Sequence, residues 1–262
     1  SLMGEHGVDA MVGIACDGFG YGSDGEAWGG EILHCTQDGF QRLGHLQEQP
    51  MVGGDLATLY PLRMAAGILH GEADIEEWML LNSDRFPHGR KEVEVIIEQL
   101  GKRSTSKTTS CGRILDAASA ILDICYERTY EGEPAMKLES VASKGKDVLK
   151  LTPEFEANTI GTTLLVHEIF NHKGKHSVAD LACSTQSYVA RSLAELAMEE
   201  AERLKVKLIG FSGGVAHNEY ITATIRRIVE KNGFKFFVHN QVPPGDGGIS
   251  FGQVVAAAFS TS

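Results

Sequence analysis

The chain has 262 residues and a formal net charge of −11, with 42% hydrophobic and 23% charged residues. This is the composition of an ordinary globular chain, long enough for one large domain or two lobes. The acidic balance argues against a broad duplex nucleic-acid surface, and no apolar stretch reaches the ~20 residues of a membrane span, so neither DNA nor a membrane is an expected partner. The opening "SLMGEHGVD" has neither the basic region nor the apolar core of a signal peptide. The five cysteines, Cys16, Cys35, Cys111, Cys125 and Cys183, form no CxxC pair and read as buried thiols of a reducing, cytoplasmic setting, with Cys111 and Cys183 in the more polar surroundings.

In chain order, "MVGIACDG" (Met11 to Gly18) reads as a short buried strand ending in a turn. "WGGEILHCTQ" and "FQRLGHLQ" read as two further strands joined at Asp38-Gly39, a hairpin signal. The stretch from Asp55 to Gly71 is helical, interrupted or offset by Pro61, and "KEVEVIIEQLGK" is a second helix. Lys102 to Thr109, "KRSTSKTT", is the most loop-like internal stretch. Ile114, Leu115, Ala118, Ile121 and Leu122 repeat at helical spacing within "CGRILDAASAILDI". A helix over Ala135 to Ala142 follows, then one ending near Gly174. A long helix runs from Ser177 to about Arg203, with Ser177 as N-cap and Asp180 three residues on. "KVKLIGFSGGV" is a buried strand, "NEYITATIRRIVEKNG" a helix, "FKFFVHN" a strand and "GGISFGQVVAAAF" a closing helix of small residues. Early strands plus a late strand-helix-strand set predict two α/β lobes.

Three glycine-rich loops stand at the ends of these elements: "DGFGYGSDG" (Asp17 to Gly25), "GFSGGVAHNEY" (Gly210 to Tyr220) and "PPGDGGISFG" (Pro243 to Gly252). Glycines let backbone approach a ligand without a Cβ clash, and free N–H groups at a helix start suit a phosphate. Carboxylates beside glycines suit a metal or metal-phosphate site; the alternative is a set of Asx turns. None of the loops is a Walker A motif, and "GFGYGSDG" lacks the immediate helix of a dinucleotide fingerprint. No HExxH occurs among the ten histidines; His167 reads as a partly buried helix residue, and His172 and His176 as loop residues. Arg113 and Arg63 each have two readings, a solvated helix residue or a phosphate or carboxylate clamp.

Beyond these readings, "CDGFGYGSDGEAWGGE", "GHLQEQPMVGGDLATLYPLRMA", "TSCGRILDAASAIL", "TYEGEPAMKLE", "SGGVAHN" and "VPPGDGGISFGQ" occur in an order that resembles the C-terminal domain of the HypF family of hydrogenase-maturation carbamoyltransferases. The resemblance covers nearly the whole chain. It implies an α/β, two-lobed actin-like or sugar-kinase-like ATPase fold, related to the tRNA threonylcarbamoyladenosine synthase. Residues 1–95 are then expected as a first lobe of meander and helices. Residues 96–262 are expected as a second lobe carrying the nucleotide loop, with the C-terminal helix packing back toward the cleft.

By the same resemblance, the domain takes carbamoyl-adenylate from a YrdC-like domain of the full-length chain and passes the carbamoyl group to the C-terminal cysteine of a HypE-like partner. The implied cofactors are ATP or carbamoyl-adenylate and a divalent metal (zinc, iron or magnesium). Asp17 and Asp246 are implied as metal ligands, completed by two histidines of a segment upstream of "SLMGEHG". Asp17, Asp246 and Arg113 make the expected catalytic set. Gly20, Gly22 and Asp24 are expected near the phosphates. Ser212, Gly213, Gly214 and Asn218 are expected in the nucleotide-contact loop, and Gly247 beside Asp246. The chain departs from the family pattern at Thr185-Gln186, where the family shows Phe-His. The competing functions are the tRNA threonylcarbamoyl-type transferase, a nucleotide-binding scaffold without turnover and, least supported, a sugar kinase.

Overall fold

The computed structural model describes residues 1–71, 74–102 and 105–260, residue 260 by its backbone only. A short helix, α1 (Leu2–His6), ends at Gly7 in the left-handed conformation and leads into β1 (Ala10–Tyr21). β1, β2 (Ala27–Thr36) and β3 (Gly39–Leu46) form the antiparallel meander expected from the Asp38-Gly39 turn. β1 does not stop at Gly18. Its pairing with β2 jumps from Cys16↔Gly30 to Gly20↔Trp28, so Asp17, Gly18 and Phe19 bulge out opposite Gly29. Such a bulge bends the strand and re-aims its side chains.

After β4 (Gln49–Met51), Pro61 splits the expected helix into α2 (Leu56–Leu59) and α3 (Leu62–Ile68), because its ring cannot join the hydrogen-bond ladder. α4 (Ile75–Leu81) and α5 (Arg90–Gly101) follow. The stretch expected to be a loop contains β5 (Ser106–Thr108), which pairs with β4 and β2; residues 103 and 104 lie outside the described residues. α6 (Cys111–Ile121), α7 (Glu133–Ala142), the two-residue strands β6 (Phe155–Glu156) and β7 (Thr159–Ile160), and α8 (Thr163–His172) precede the long α9 (Val178–Leu204). Ser177 caps α9 by accepting the Asp180 N–H. β8 (Leu208–Ser212), α10 (Glu219–Lys231), β9 (Lys235–Phe237) and α11 (Ile249–Ser260) complete the chain.

Among the described residues the strands form one nine-stranded sheet, ordered β6-β7-β3-β2-β1-β8-β9 along its main path. β8 lies parallel to β1 and to β9. The division expected between residues 95 and 96 falls inside α5, while strands from both sides of it share one sheet and one core that runs from Val12 to Phe236. Local patterning reveals the strands, but not that β8 inserts beside β1. On β1 and β8, Val12, Ile14, Ile209 and Phe211 are fully buried under α6 and α9. The alternate residues Gly13, Ala15, Gly210 and Ser212 face the other way, into an open cleft of about 310 Å³ bounded by α1 and α11. α11 meets α1 where Val255 packs on Gly4, yet Ile249, Phe251 and Val254 stay exposed. Among the described residues no helix is long and apolar enough to cross a membrane.

Candidate functional site

The bulge in β1 brings the Asp17 loop to the end of β8. Asp17 Oδ1 accepts its neighbour's N–H, from Gly18, at 2.6 Å, and Oδ2 accepts the Gly214 N–H at 3.1 Å. Gly213 stands at φ 96° and ψ 169°, and a Cβ there would meet the Cys16 carbonyl oxygen at 2.1 Å. Only glycine suits that backbone and that approach. The Gly213 N–H donates to the Pro244 carbonyl at 2.9 Å, and a Cβ on Gly245 would touch Gly214 Cα at 3.7 Å. Three segments distant in sequence thus meet around Gly213 and Gly214: the Asp17 bulge bonds Gly214, and the Pro244-Gly245 segment contacts Gly213 and Gly214. Asp246, next to Gly245, begins a single 3-10 turn before α11 and is exposed, as is Gly247.

α6 locks the loop from below. Ser110, its N-cap, donates from Oγ to the carbonyls of Asp17 and Gly18 at 2.7 and 2.9 Å. A Cβ on Gly112 would meet Gly18 Cα at 2.9 Å, so helix and loop touch backbone to backbone. Arg113 is neither solvated nor pointed at open solvent: it is 3% exposed, and its Nη2 pairs with Asp116 at 2.8 Å. The same Nη2 lies 3.3 Å from the place of a Cβ on Gly18. Arg113 Nε and Nη1 have no hydrogen-bond partner among the described residues. Burial pushes the Asp116 carboxyl up to about 6, against the pull of the Arg113 and Arg128 guanidinium groups. Asp116 was not among the expected site residues; an Arg and an Asp three apart on a helix were its available signal.

Other expected residues serve different ends. Gly20 and Gly22 face Trp28, and a Cβ on Gly22 would meet Trp28 Nε1 at 2.3 Å. Asp24 accepts that indole N–H at 3.1 Å and the Glu26 N–H at 3.0 Å, and pairs with Arg42 at 3.4 Å. The Arg42 guanidinium stacks 4.1 Å above the Trp28 ring and also pairs with the buried Glu31 at 2.6 Å. These residues close the β1–β2 hairpin; they are not gathered around Asp17 and Gly214. Asn218 caps α10, its Oδ1 accepting the Ile221 N–H at 2.9 Å. Ser212 Oγ contacts His239 and the Pro244 carbonyl.

Arg63 resolves to a buried structural pair with Glu92, 2.7 Å from its Nη2, while its Nε donates at 2.8 Å. His6 is engaged by the Val238 carbonyl at 2.9 Å and stacks on Phe237. His172 and His176 stack with centroids 5.6 Å apart. Among the described residues no group of three or more His, Cys, Asp or Glu is arranged to hold a metal ion. Cys16, Cys111, Cys125 and Cys183 are buried and Cys35 half-buried, all as free thiols. Contact with Cys111, with burial, pushes the Cys16 thiol well up. Thr185 and Gln186 are fully buried, and both Gln186 amide atoms lack a partner among the described residues.

The sheet, its flanking helices and the docked loops define an α/β fold of the actin-like, Kae1-related ATPase class. The family model for the Kae1-like carbamoyltransferase domain, second subdomain, matches residues 13–253. The chain belongs to the HypF carbamoyltransferase family. It is 41% identical over 263 aligned residues to the probable carbamoyltransferase HypF of Methanocaldococcus jannaschii, covering 98% of this chain and 34% of that protein. The crystal structure of T. kodakarensis HypF superposes with a TM-score of 0.91 at 41% identity, covering 99% of this chain and 35% of that one. A full-length HypF in a phosphate- and nucleotide-bound form gives a TM-score of 0.88 at 29% identity, over 98% of this chain and 34% of that one. The chain therefore spans about a third of the length of these relatives.

Proposed function

We propose that the docked loops hold the carbamoyl-adenylate donor of a carbamoyl transfer to the C-terminal cysteine of a HypE-like partner. The observation that carries this reading is the meeting of three glycine-bearing segments at Gly213 and Gly214, through the Gly214 N–H bond to Asp17 and the Gly213 N–H bond to Pro244. A similar full-length HypF is described in a phosphate- and nucleotide-bound form, which accords with a nucleotide ligand for such a protein. Gly213 and Gly214 lie against the ribose or adenine, and Gly247 and the first turn of α11 face phosphate. The unpartnered Nε and Nη1 of Arg113, buried beneath Gly18, serve the developing charge on the donor.

The transfer breaks the bond between the carbamoyl carbon and the phosphate oxygen. The partner's thiolate attacks that carbon, AMP departs, an S-carbamoyl cysteine forms and the thiol proton passes to solvent. Positioning and charge stabilisation supply most of what this step needs. No cysteine of this chain has to react, in keeping with four of the five being buried. The adenylate comes from a YrdC-like part of the full-length protein, in the cytoplasm.

The resemblance implies Asp17 and Asp246 as two ligands of a divalent zinc, iron or magnesium ion; Asp17 lies against Gly214 and Asp246 follows Gly245, which borders Gly214, but among the described residues no group of three or more His, Cys, Asp or Glu is arranged to hold the ion. The other two ligands that the resemblance implies are histidines. When bound, the ion polarises an oxygen of the mixed anhydride.

Hydrogen–deuterium exchange of the full-length protein with and without ADP tests the placement. Slowed exchange at 17–18 and 212–218, with α4 and α5 unchanged, is expected. Protection confined to other surfaces would remove the nucleotide from these loops.

A further inference from the structure

Among the described residues, two arginine–carboxylate pairs are buried on both sides, and they are completed differently. Arg63 and Glu92 are drawn into further bonds: Arg63 Nη1 donates to the Val52 carbonyl at 3.3 Å, and Glu92 Oε2 accepts the His88 N–H at 3.0 Å. Arg113 and Asp116, three residues apart on α6, have no such support. Their side chains are 4% and 1% exposed. Asp116 Oδ1 accepts from no described group, and Oδ2 is met by Arg113 Nη2 at 2.8 Å as an ion pair, outside the alignment of a hydrogen bond. Arg113 Nε and Nη1 are equally uncommitted. A buried pair offsets its desolvation only when further hydrogen bonds satisfy its remaining atoms. The Arg63 pair meets that condition and serves the fold. The Arg113 pair does not, so stability does not account for it.

What the Arg113 pair has instead is its place. Ser110 Oγ and the Gly112 backbone fasten the start of α6 to Asp17 and Gly18, so the helix is fixed against the β1 bulge. The movable part is the long Arg113 side chain, which has much rotamer freedom to lose. Its Nη2 lies 3.3 Å from the place of a Cβ on Gly18, and the same Nη2 is the atom that Asp116 holds. One nitrogen therefore sets the guanidinium against the Gly18 backbone. Burial pushes the Asp116 carboxyl up to about 6, Arg113 and then Arg128 pull against it, and the Cys125 thiol feels its charge. Above that value the carboxyl is ionised and the pair carries both charges.

Resting on the reading that Arg113 serves the donor, we infer that Asp116 is a positioning residue for the transfer: it holds the Arg113 guanidinium beneath Gly18 and leaves Nε and Nη1 for the charge that develops on the departing phosphate. Asp116 touches neither the donor nor the partner; it acts through Arg113. Donors fixed beforehand stabilise developing charge because none has to turn into place during the step. A guanidinium released from Asp116 keeps its charge but loses that fixed direction.

The test is the rate of S-carbamoyl formation on the partner's C-terminal cysteine by the full-length protein. Carbamoyl-adenylate synthesis is measured beside it, and a thermal melt fixes a temperature at which parent and variants are folded. Asp116→Asn keeps the shape and removes the charge. It is expected to slow transfer about tenfold at about pH 8 while adenylate synthesis continues. The ratio of parent to variant rate is the sharper readout, because the titration of the partner's thiol and of every other shared group cancels in it. Below about pH 6 the parent carries an uncharged carboxylic acid where the variant carries an amide, so the ratio should close toward one as pH falls. Adding Asp116→Asn to Arg113→Met should cost nothing further, because both changes act through one guanidinium. If Arg113→Met impairs transfer but Asp116→Asn matches the parent at about pH 8, the positioning role is overturned and the reading of Arg113 stands. A ratio that stays constant with pH, a loss that adds fully to that of Arg113→Met, or an Asp116→Asn protein that does not fold makes Asp116 merely structural and overturns the inference. Unimpaired transfer by Arg113→Met removes the reading of Arg113 itself, and the inference with it.

Discussion

Replacing Gly213 with alanine tests how the strand ends are joined. The residue stands at φ 96° and ψ 169°, a backbone region that costs a non-glycine residue about 1–3 kcal/mol. The added Cβ would also meet the Cys16 carbonyl oxygen at 2.1 Å and its carbon at 2.7 Å. That backbone belongs to β1, paired with β8 up to Ala15↔Ser212, so relief requires prising the strand ends apart. Overpacking of this kind costs roughly 1–3 kcal/mol more. A combined loss near 4 kcal/mol, at about 2–4 °C per kcal/mol for a chain of this size, lowers the melting temperature by roughly 8–16 °C. Gly25→Ala is the matched control, because Gly25 has φ 84° but nothing within 4 Å of its Cβ position. It should lose only about 1 kcal/mol. Calorimetry on both variants decides the matter. Equal melting temperatures would refute the close approach of Gly213 to Cys16.

Two further outcomes follow from the buried charges. The Asp116 carboxyl is raised in the fold from 3.8 to about 6, so its contribution to stability is fully present below the unfolded value and is lost as pH rises through about 6. Arg113→Leu removes the nearest charge that holds it down, so the midpoint in carboxyl carbon NMR should move above that of the parent; an unchanged or lower midpoint would contradict the pairing. Arg63→Met strands the Glu92 carboxylate, whose side chain is 2% exposed, and should cost about 3–5 kcal/mol in urea titration, whereas Arg90→Ala in the exposed pair with Glu94 should cost under about 1 kcal/mol. Equal small losses would show that the Arg63 pair is not buried as described.

What the sequence makes legible here is local. Asp38-Gly39 fixes a hairpin, Ser177 with Asp180 starts a helix, and Pro61 breaks one, because each acts within a few residues. The glycine loops at Asp17, Gly213 and Asp246 are likewise readable, and the structure brings their segments together. Pairing at a distance is not readable. The insertion of β8 beside β1 joins residues about two hundred positions apart, which no local pattern announces. The glycines of one loop also divide by neighbours no spacing reveals: Gly18 lies against Arg113 and Gly112, whereas Gly22 makes room for the Trp28 indole. Glu5 and His239, in contact though 234 positions apart, gave no pattern at all.

The central claim is that this region transfers the carbamoyl group while another part of the full-length protein makes the adenylate. Asp246 is the residue on which to test it, since it follows the Pro244 and Gly245 contacts to Gly213 and Gly214 and is itself exposed. The measurement is S-carbamoyl formation on the partner's C-terminal cysteine by the full-length Asp246→Ala protein, run beside carbamoyl-adenylate synthesis and a thermal melt. The account predicts that transfer is abolished, adenylate synthesis continues and the melting temperature stays near that of the parent. Normal transfer by the well-folded variant would contradict it.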